Sequence, residues 1–199
     1  MNEPTFADDP LLQGAFAWAS SQAATEPMAE QYCPTRDVFT GRIDHCRSEA
    51  IRAGMTADQS FLLHAVLGEI GNNAFDHNIG AWKDLPGILF SWQCKPGTCS
   101  IVIADRGQGI LQTLRQVRPA LHSDEDALHV AFLERLSGRA PERRGNGLKF
   151  VRSVLLEDGL NLAFQSGNAR YAVMKKQELW SNVTNAVPGC IAVVSWKAS

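Results

Sequence analysis

This sequence of 199 residues lacks any hydrophobic run long enough to cross a membrane, and its acidic start, MNEPTFADDP, is unlike a signal peptide. It also lacks a strong charge of either sign. The net charge is -2 and the isoelectric point is near 6.2, which gives no electrostatic basis for binding nucleic acid. Internal repeats and low-complexity tracts are absent. We therefore expect one globular domain with at most a small attachment, and neither nucleic acid nor a membrane among its partners.

Cysteine is scarce and is not arranged in a motif. The five cysteines are odd in number and form no CxxC pair, and Cys94 and Cys99 stand too far from other ligand residues to predict a zinc site. A chain of this kind is typical of a reducing compartment. We therefore expect a cytoplasmic protein.

Two common nucleotide-binding motifs are missing. No GxxxxGK[ST] segment occurs, which excludes a P-loop, and no GxGxxG segment follows a strand in a βαβ setting, which disfavours a dinucleotide-binding fold. Three other polar segments remain to be explained.

The first segment lies in the stretch from Leu62 to Asn78. Its apolar residues recur at the spacing of one helix face, which predicts a helix packed against a core. Glu69 and Asn73 are four residues apart and therefore lie on one adjoining face of that helix. Because buried polar groups need partners, either the protein or a ligand must supply partners for this carboxylate and this amide.

The other two segments contain glycines. In Asp105-x-Gly107-x-Gly109, a carboxylate follows a buried apolar strand, where it can accept a hydrogen bond from an exocyclic amine such as that of adenine. In Gly145-Asn146-Gly147, the glycines precede a helix N-terminus, whose free N–H groups suit phosphate oxygens. Taken alone, each segment is more typical of an ordinary turn or loop.

The remaining pattern predicts an α+β fold. An apolar helical arm is expected at 10–24, and the sequence divides into this arm (1–36) and one domain (37–199). Further helices are predicted at 41–54, 56–78, 123–136 and from 147 onward. Strands are predicted at 37–40, 87–94, 99–105, 160–165, 170–175 and 190–196.

The three segments in this order resemble the three motifs of the GHKL superfamily of ATPases and kinases, and the resemblance covers about Thr40 to Lys197. It implies a Bergerat fold, a two-layer α/β sandwich in which a mixed sheet carries helices on one face and an ATP lid closes over the nucleotide. Among its branches, the carboxylate at Glu69 is most similar to the anti-sigma-factor serine/threonine kinases.

The resemblance also implies roles for individual residues. Asn73 would coordinate Mg²⁺, Asp105 would bind the adenine amino group, Glu69 would act as general base, and 111–144 would form a lid that is mobile without nucleotide. The implied nucleotide-binding residues are Asn73, Asp105, Gly107, Gly109, Arg144, Gly145, Asn146, Gly147 and Leu148. The implied cofactors are ATP and Mg²⁺.

One position departs from the family pattern. Cys190 stands where the family often has a threonine that supports the adenine-binding aspartate, and a thiol is a weaker hydrogen-bond partner. Of the three functions that stay open, Glu69 favours the first, a kinase that phosphorylates a serine or threonine of a small regulatory partner protein, whereas Cys190 slightly favours the second, an ATP-dependent binding switch without phosphotransfer. The lack of a phosphoacceptor histidine helix disfavours the third, the catalytic half of a split histidine kinase. We also expect a homodimer, because the apolar arm needs a surface to cover it.

Overall fold

A computed structural model describes residues 10–23, 25–134 and 146–198. The helices within these ranges are α1 (Pro10–Ser20), α2 (Arg36–Arg52), α3 (Ala57–His77), α4 (Gly109–Arg115), α5 (Asp124–Leu133) and α6 (Gly147–Asp158). The strands are β1 (Tyr32–Cys33), β2 (Ile88–Lys95), β3 (Thr98–Asp105), β4 (Asn161–Met174) and β5 (Gln177–Lys197). The α+β class is thereby confirmed.

The strands form one sheet in the order β1-β2-β3-β5-β4, and every described pairing is antiparallel. The prediction of a mixed sheet is therefore wrong. The strand count also differs from the prediction, because β4 and β5 are two long strands rather than three short ones. Irregular pairing around Gly167 lets β4 continue where two strands were predicted, and the segment 177–187, which lies between two predicted strands, is the first half of β5.

Helix boundaries follow from side-chain caps. The hydroxyl of Thr56 accepts a hydrogen bond from the Gln59 N–H at 3.2 Å, and the Gln59 side chain accepts one from the Thr56 N–H, which confirms the predicted start of α3. The short strand predicted at 37–40 is wrong, because Thr35 caps α2 and the chain is already helical there.

The larger part of the core lies between one sheet face and helices α2, α3, α5 and α6. The apolar stripe of α3, including Leu63, Val66 and Leu67, is fully buried there, as its spacing predicts. Burying such side chains stabilises the fold by about 1.5–3 kcal/mol each. Helix α3 is thus fixed along its whole length, and the polar residues beside the stripe are held in place with it.

Helix α1 covers the opposite sheet face, which we call the back face. Its buried residues are Leu12, Ala15, Trp18 and Ala19, which pack with Leu89, Val102, Ala104, Val187 and Ile191 of the sheet. The arm thus adds a helix behind the sheet, outside the two-layer sandwich that was predicted for 37–199. The arm is covered by its own sheet and does not need a second copy of the chain, so the reason given for a homodimer is removed; the homodimer itself stays a prediction.

Two further features of the fold differ from expectation. Cys94 and Cys99 face each other across the β2–β3 hairpin and are joined by a disulfide, which the cysteine spacing did not predict. The first part of the predicted lid is packed: α5 buries Leu128 and Phe132 in the main core, and α4 buries Leu114. Residues 135–144 of the predicted lid lie outside the described residues.

Candidate functional site

A pocket opens between α3, the end of β3, the start of α6 and β5. Its empty volume is about 450 Å³, a figure that includes space open to solvent. Polar groups converge on a mainly apolar wall, as is typical of small-molecule sites. The lining residues are Ile70, Asn73, Ala74, His77, Asn78, Ile103, Asp105, Gly109, Ile110, Thr113, Leu148, Phe164, Cys190 and Ala192.

Asp105 lies at the base of this pocket and is 3% exposed. Its Oδ1 accepts hydrogen bonds from the Gly107 N–H at 2.8 Å and from the Asn78 amide at 3.2 Å. Burial raises the pKa of the Asp105 carboxyl to about 6, although N–H groups of Gly107 and Cys190 and the side chains of Asn78 and Cys190 oppose the rise. The pocket therefore presents a desolvated carboxylate that a donor group on a ligand can use.

Cys190 contacts this carboxylate from the neighbouring strand β5. Its thiol hydrogen-bonds the Asp105 side chain, and burial, followed by the charge of Asp105, holds the pKa of the thiol well above its ordinary value. Such a thiol stays protonated and acts as a donor. The hydroxyl of Ser166 is next to it, accepting a hydrogen bond from the Ile110 N–H at 2.9 Å.

Asn78 ties the end of α3 to the segment Asp105–Gly109, which we call the pocket loop. Its amide donates to the Ala74 carbonyl at 2.8 Å and to Asp105, and its Oδ1 accepts from the Gln108 N–H at 3.0 Å. Sequence reasoning gave this 4%-exposed residue no role beyond ending the helix. In the sequence, the one signal for such a role is that Asn78 directly follows a helix that carries other polar residues.

Replacing Asn78 by alanine should lower the free energy of unfolding by about 1–3 kcal/mol, because the Gln108 N–H and the Asp105 carboxylate each lose a buried partner. Urea unfolding measures the change. Asn72→Ala is the matched control, since Asn72 lies on the same helix but does not line the pocket. Equal losses in the two variants would contradict the role of Asn78.

At two glycines near Asp105, any side chain would clash with a neighbouring residue. A Cβ at Gly107 would lie 2.0 Å from the Asn78 side chain, and a Cβ at Gly189 would lie 2.4 Å from Asp105 Oδ1. Gly109 has a φ of +74°, a backbone conformation that favours glycine. The glycines of the pocket loop are therefore required by the close approach of Asn78 and by this turn, and not only by a ligand.

The start of α6 lies against the polar face of α3. A Cβ at Gly147 would lie 2.3 Å from Glu69 Oε2 and 3.5 Å from the Asn73 amide nitrogen. Asn146 precedes the helix without donating or accepting a side-chain cap bond, so the first N–H groups of α6 are not satisfied by its side chain. A helix N-terminus, a carboxylate and an amide thus meet at the end of the pocket that is lined by Asn73 and Leu148.

Most of the predicted site residues come together. Asn73, Asp105, Gly109 and Leu148 line the pocket, while Gly107 and Gly147 lie directly beside its polar residues. Glu69 is half-buried next to Gly147, and Asn146 is exposed at the start of α6. Arg144 and Gly145 lie outside the described residues.

The side chains of the pocket suit an oxygen-preferring cation only if a bound molecule supplies further oxygen ligands. Within 10–23, 25–134 and 146–198, no group of three or more His, Cys, Asp or Glu side chains is placed to hold a metal ion. Mg²⁺ often takes one or two protein ligands and completes its shell with water and phosphate oxygens. The Asn73 side chain lines the pocket near the start of α6, and its amide oxygen is a ligand of the kind that such a cation takes.

The part of the chain that the structure describes contains no helix with the length and apolar character to cross a membrane. Neither the models of known protein families nor the curated proteins match this sequence.

Proposed function

We propose that this chain is a Mg-ATP-binding regulatory protein of the GHKL type, with a Bergerat fold, that phosphorylates a serine or threonine of a small partner protein. One observation carries the proposal: three segments far apart in the sequence, around Asn73, Asp105 and Gly147, border one pocket. Each segment alone is compatible with an ordinary turn, but their convergence is what a nucleotide site requires.

Each end of the pocket has the chemistry for one part of the nucleotide. The buried carboxylate of Asp105 is an acceptor for an exocyclic amine, and the apolar side chains of Ile103 and Phe164 suit the faces of a base. At the other end, the N–H groups at the start of α6 and the amide of Asn73 suit phosphate oxygens and the Mg²⁺ that accompanies them. When bound, Mg-ATP would supply the phosphoryl group to be transferred.

Replacing Asn73 by alanine should weaken nucleotide binding in the presence of Mg²⁺ and leave binding in EDTA nearly unchanged, because the variant loses an oxygen ligand for the cation and no contact with the base. Isothermal titration calorimetry with and without Mg²⁺ measures both affinities. Asn72→Ala serves as the control on the same helix. If affinity falls equally with and without the cation, Asn73 only supports the structure.

The direct test of the proposal is phosphate transfer. Purified protein is incubated with Mg-ATP labelled at the γ-phosphate, alone and with candidate regulatory proteins encoded beside it. Label on a serine or threonine of a partner supports the kinase. Binding of Mg-ATP without hydrolysis or transfer, with every candidate present, would end the kinase hypothesis.

The contact between Glu69 and Gly147 favours a second candidate, an ATP-dependent binding switch. A carboxylate at a helix N-terminus stabilises the helix by interacting with its dipole, so Glu69 has a structural role available that involves no catalysis. In the switch, partner recruitment depends on bound ATP and no phosphate moves. The two candidates differ in the effect expected when Glu69 is replaced.

A cytoplasmic location belongs to the same proposal, and the Cys94–Cys99 disulfide provides its test. Disulfides are rare in a reducing cytosol, so the two cysteines should be free thiols in protein alkylated inside the cell. Recovery of the disulfide under those conditions would contradict a cytoplasmic location.

A further inference from the structure

Arg106 is the most completely buried charged side chain described in the structure, and no role in the pocket uses it. It lies in the pocket loop between Asp105 and Gly107 and is 0% exposed. Its guanidinium forms a bidentate pair with Asp84, with Nε and Nη2 donating to the two carboxylate oxygens at 2.9 and 2.6 Å. Burying a charge so fully is costly unless every donor is satisfied.

The remaining donors of Arg106 are taken up by the end of α1. Nη1 donates to the carbonyls of Trp18 at 2.6 Å and Ala19 at 3.2 Å and to the Ser21 hydroxyl at 2.9 Å, and Nη2 donates to the Ser21 carbonyl at 2.9 Å. The last carbonyls of a helix have no intrahelical partner and carry partial negative charge. Arg106 is therefore the C-terminal cap of a helix that is more than eighty positions away in the sequence.

The two residues Asp105 and Arg106 point to opposite sides of the sheet. Successive side chains alternate across a strand, so the carboxylate of Asp105 lines the pocket while Arg106 reaches the back face. The Gly107 N–H then returns to Asp105 Oδ1. The backbone of residues 105–107 is thus held on the back face by α1 and on the opposite face by the pocket residue Asp105.

Helix α1 also packs directly behind the strands that carry the pocket residues. Ala104 precedes Asp105 and Ile191 follows Cys190, and both are buried in the cluster that α1 covers. The Arg106 carbonyl accepts a hydrogen bond from the Lys83 N–H at 3.0 Å, which ties the segment carrying Asp84 to the same backbone. Moving α1 away from the back face would leave Arg106 without its carbonyl partners and oblige the loop backbone to shift toward solvent.

We propose that Arg106 is a positioning residue through which the docking of α1 on the back face sets the conformation of the pocket loop. By thermodynamic reciprocity, a ligand that engages Asp105 stabilises the docked state of α1. The link between α1 and the loop is independent of the ligand's identity; only its effect on nucleotide affinity rests on the proposed function.

The first experiment uses the ligand-free, full-length protein. Ala15→Glu places a charge in the contact between α1 and the back face, far from the loop, and Arg106→Lys keeps the charge but removes the planar fork. Hydrogen exchange of the Gly107 N–H, whose acceptor is Asp105, reports on the loop. Each variant should speed this exchange on the order of tenfold, within the usual range of coupling between sites.

The double variant distinguishes coupling from two separate losses of structure. If α1 acts on the loop through Arg106, the double variant should exchange no faster at Gly107 than the more affected single variant. Arg152→Lys is the control, because Arg152 forms a comparable bidentate pair with Glu178 away from the loop and should leave Gly107 unchanged. Should Ala15→Glu fail to fold, Leu12→Ala weakens the same contact more gently.

Two results would overturn the proposal: unchanged Gly107 exchange in a folded protein whose α1 is undocked, or additive effects in the double variant. The second experiment adds a non-hydrolysable Mg-ATP analogue. Bound analogue should slow exchange in α1 of the wild type but not in Arg106→Lys, a readout that a purely structural role would not move. If the wild type binds no nucleotide, the proposed function fails, while the ligand-free measurement still decides the coupling.

Discussion

Replacing Glu69 by alanine should lower phosphate turnover by about 10²–10⁴-fold, the usual contribution of general acid–base catalysis. Glu69 lies one helical turn before Asn73 on the same face of α3, and its carboxylate adjoins the start of α6 at Gly147. A hydroxyl brought to the phosphate end of the pocket would therefore be within reach of this carboxylate. Radiolabel transfer or phosphate release measures the loss.

Binding of Mg-ATP should be nearly unchanged in Glu69→Ala, because the predicted nucleotide contacts come from other residues. Glu69→Gln is the matched variant: it keeps a polar group of the same size beside Gly147 and removes the charge and the basic oxygen. If Glu69 is the general base, both variants lose turnover to the same extent, while Glu69→Gln loses no more unfolding free energy than the carboxylate contributes at the start of α6, about 0.3–1 kcal/mol.

The switch hypothesis predicts a different pattern. Partner recruitment by the ATP-bound protein would follow helix stability, so Glu69→Gln and Glu69→Ala, which both remove the charge, would be weakened only as far as α6 loosens. No phosphate would move in any of the three proteins. A turnover that survives in Glu69→Gln would remove the general-base role.

The parts of the site that sequence could predict are those encoded by local rules. The apolar spacing of α3 placed Glu69 and Asn73 on one face, and the apolar strand β3 placed Asp105 at its end. The capping pair Thr56 and Gln59 marked the start of α3 to the residue. Such signals depend on neighbours within one or two turns, which a single sequence contains in full.

The parts that sequence could not predict depend on contacts between distant segments. The sequence of an apolar helix such as α1 indicates that its apolar face must be buried, but not whether it packs on its own sheet or on a second copy of the chain. Arg106 reads as an ordinary polar residue of a turn, because its partners Trp18 and Asp84 come from elsewhere in the chain. The same applies to Asn78, whose bond to Asp105 spans 27 positions.

The sheet was mispredicted for a related reason. Gly167 and most of the polar segment 177–187 lie between the predicted strands, yet pairing between β4 and β5 continues through both places. Polar residues are acceptable there because much of that half of β5 is exposed. A polar segment can be a loop or a solvent-exposed strand, and its composition does not distinguish the two. The presence of a strand to pair with decides between them.

Replacing Asp105 by asparagine should weaken binding of Mg-ATP by roughly 10- to 150-fold, which corresponds to the loss of a charge-assisted hydrogen bond worth about 1.5–3 kcal/mol. The carboxylate accepts from the exocyclic amine of adenine, whereas an asparagine amide offers a donor as well and no charge. Calorimetry with ATP and with GTP measures both affinity and selectivity. Equal affinity of the two proteins for ATP would contradict the assignment of the adenine end.

The raised pKa of Asp105 adds a test by pH. Its folded pKa of about 6 lies above that of an unfolded aspartate, so the folded protein holds this proton more tightly. The stability that the protonated group contributes, about 3 kcal/mol, is present below pH 4 and is lost as the pH rises through 6. Asp105→Asn should abolish this dependence, measured by urea unfolding between pH 4 and 8.

Nucleotide affinity should depend on pH in the opposite direction from stability. The amine of adenine needs the ionised carboxylate, so wild-type affinity should fall as the pH is lowered through 6, while Asp105→Asn should keep a flatter profile. Because the phosphates of the nucleotide titrate in the same way for both proteins, the difference between the two profiles belongs to Asp105. Profiles that run parallel would show that this carboxylate does not contact the ligand, and the site would then have to be sought away from the base of the pocket.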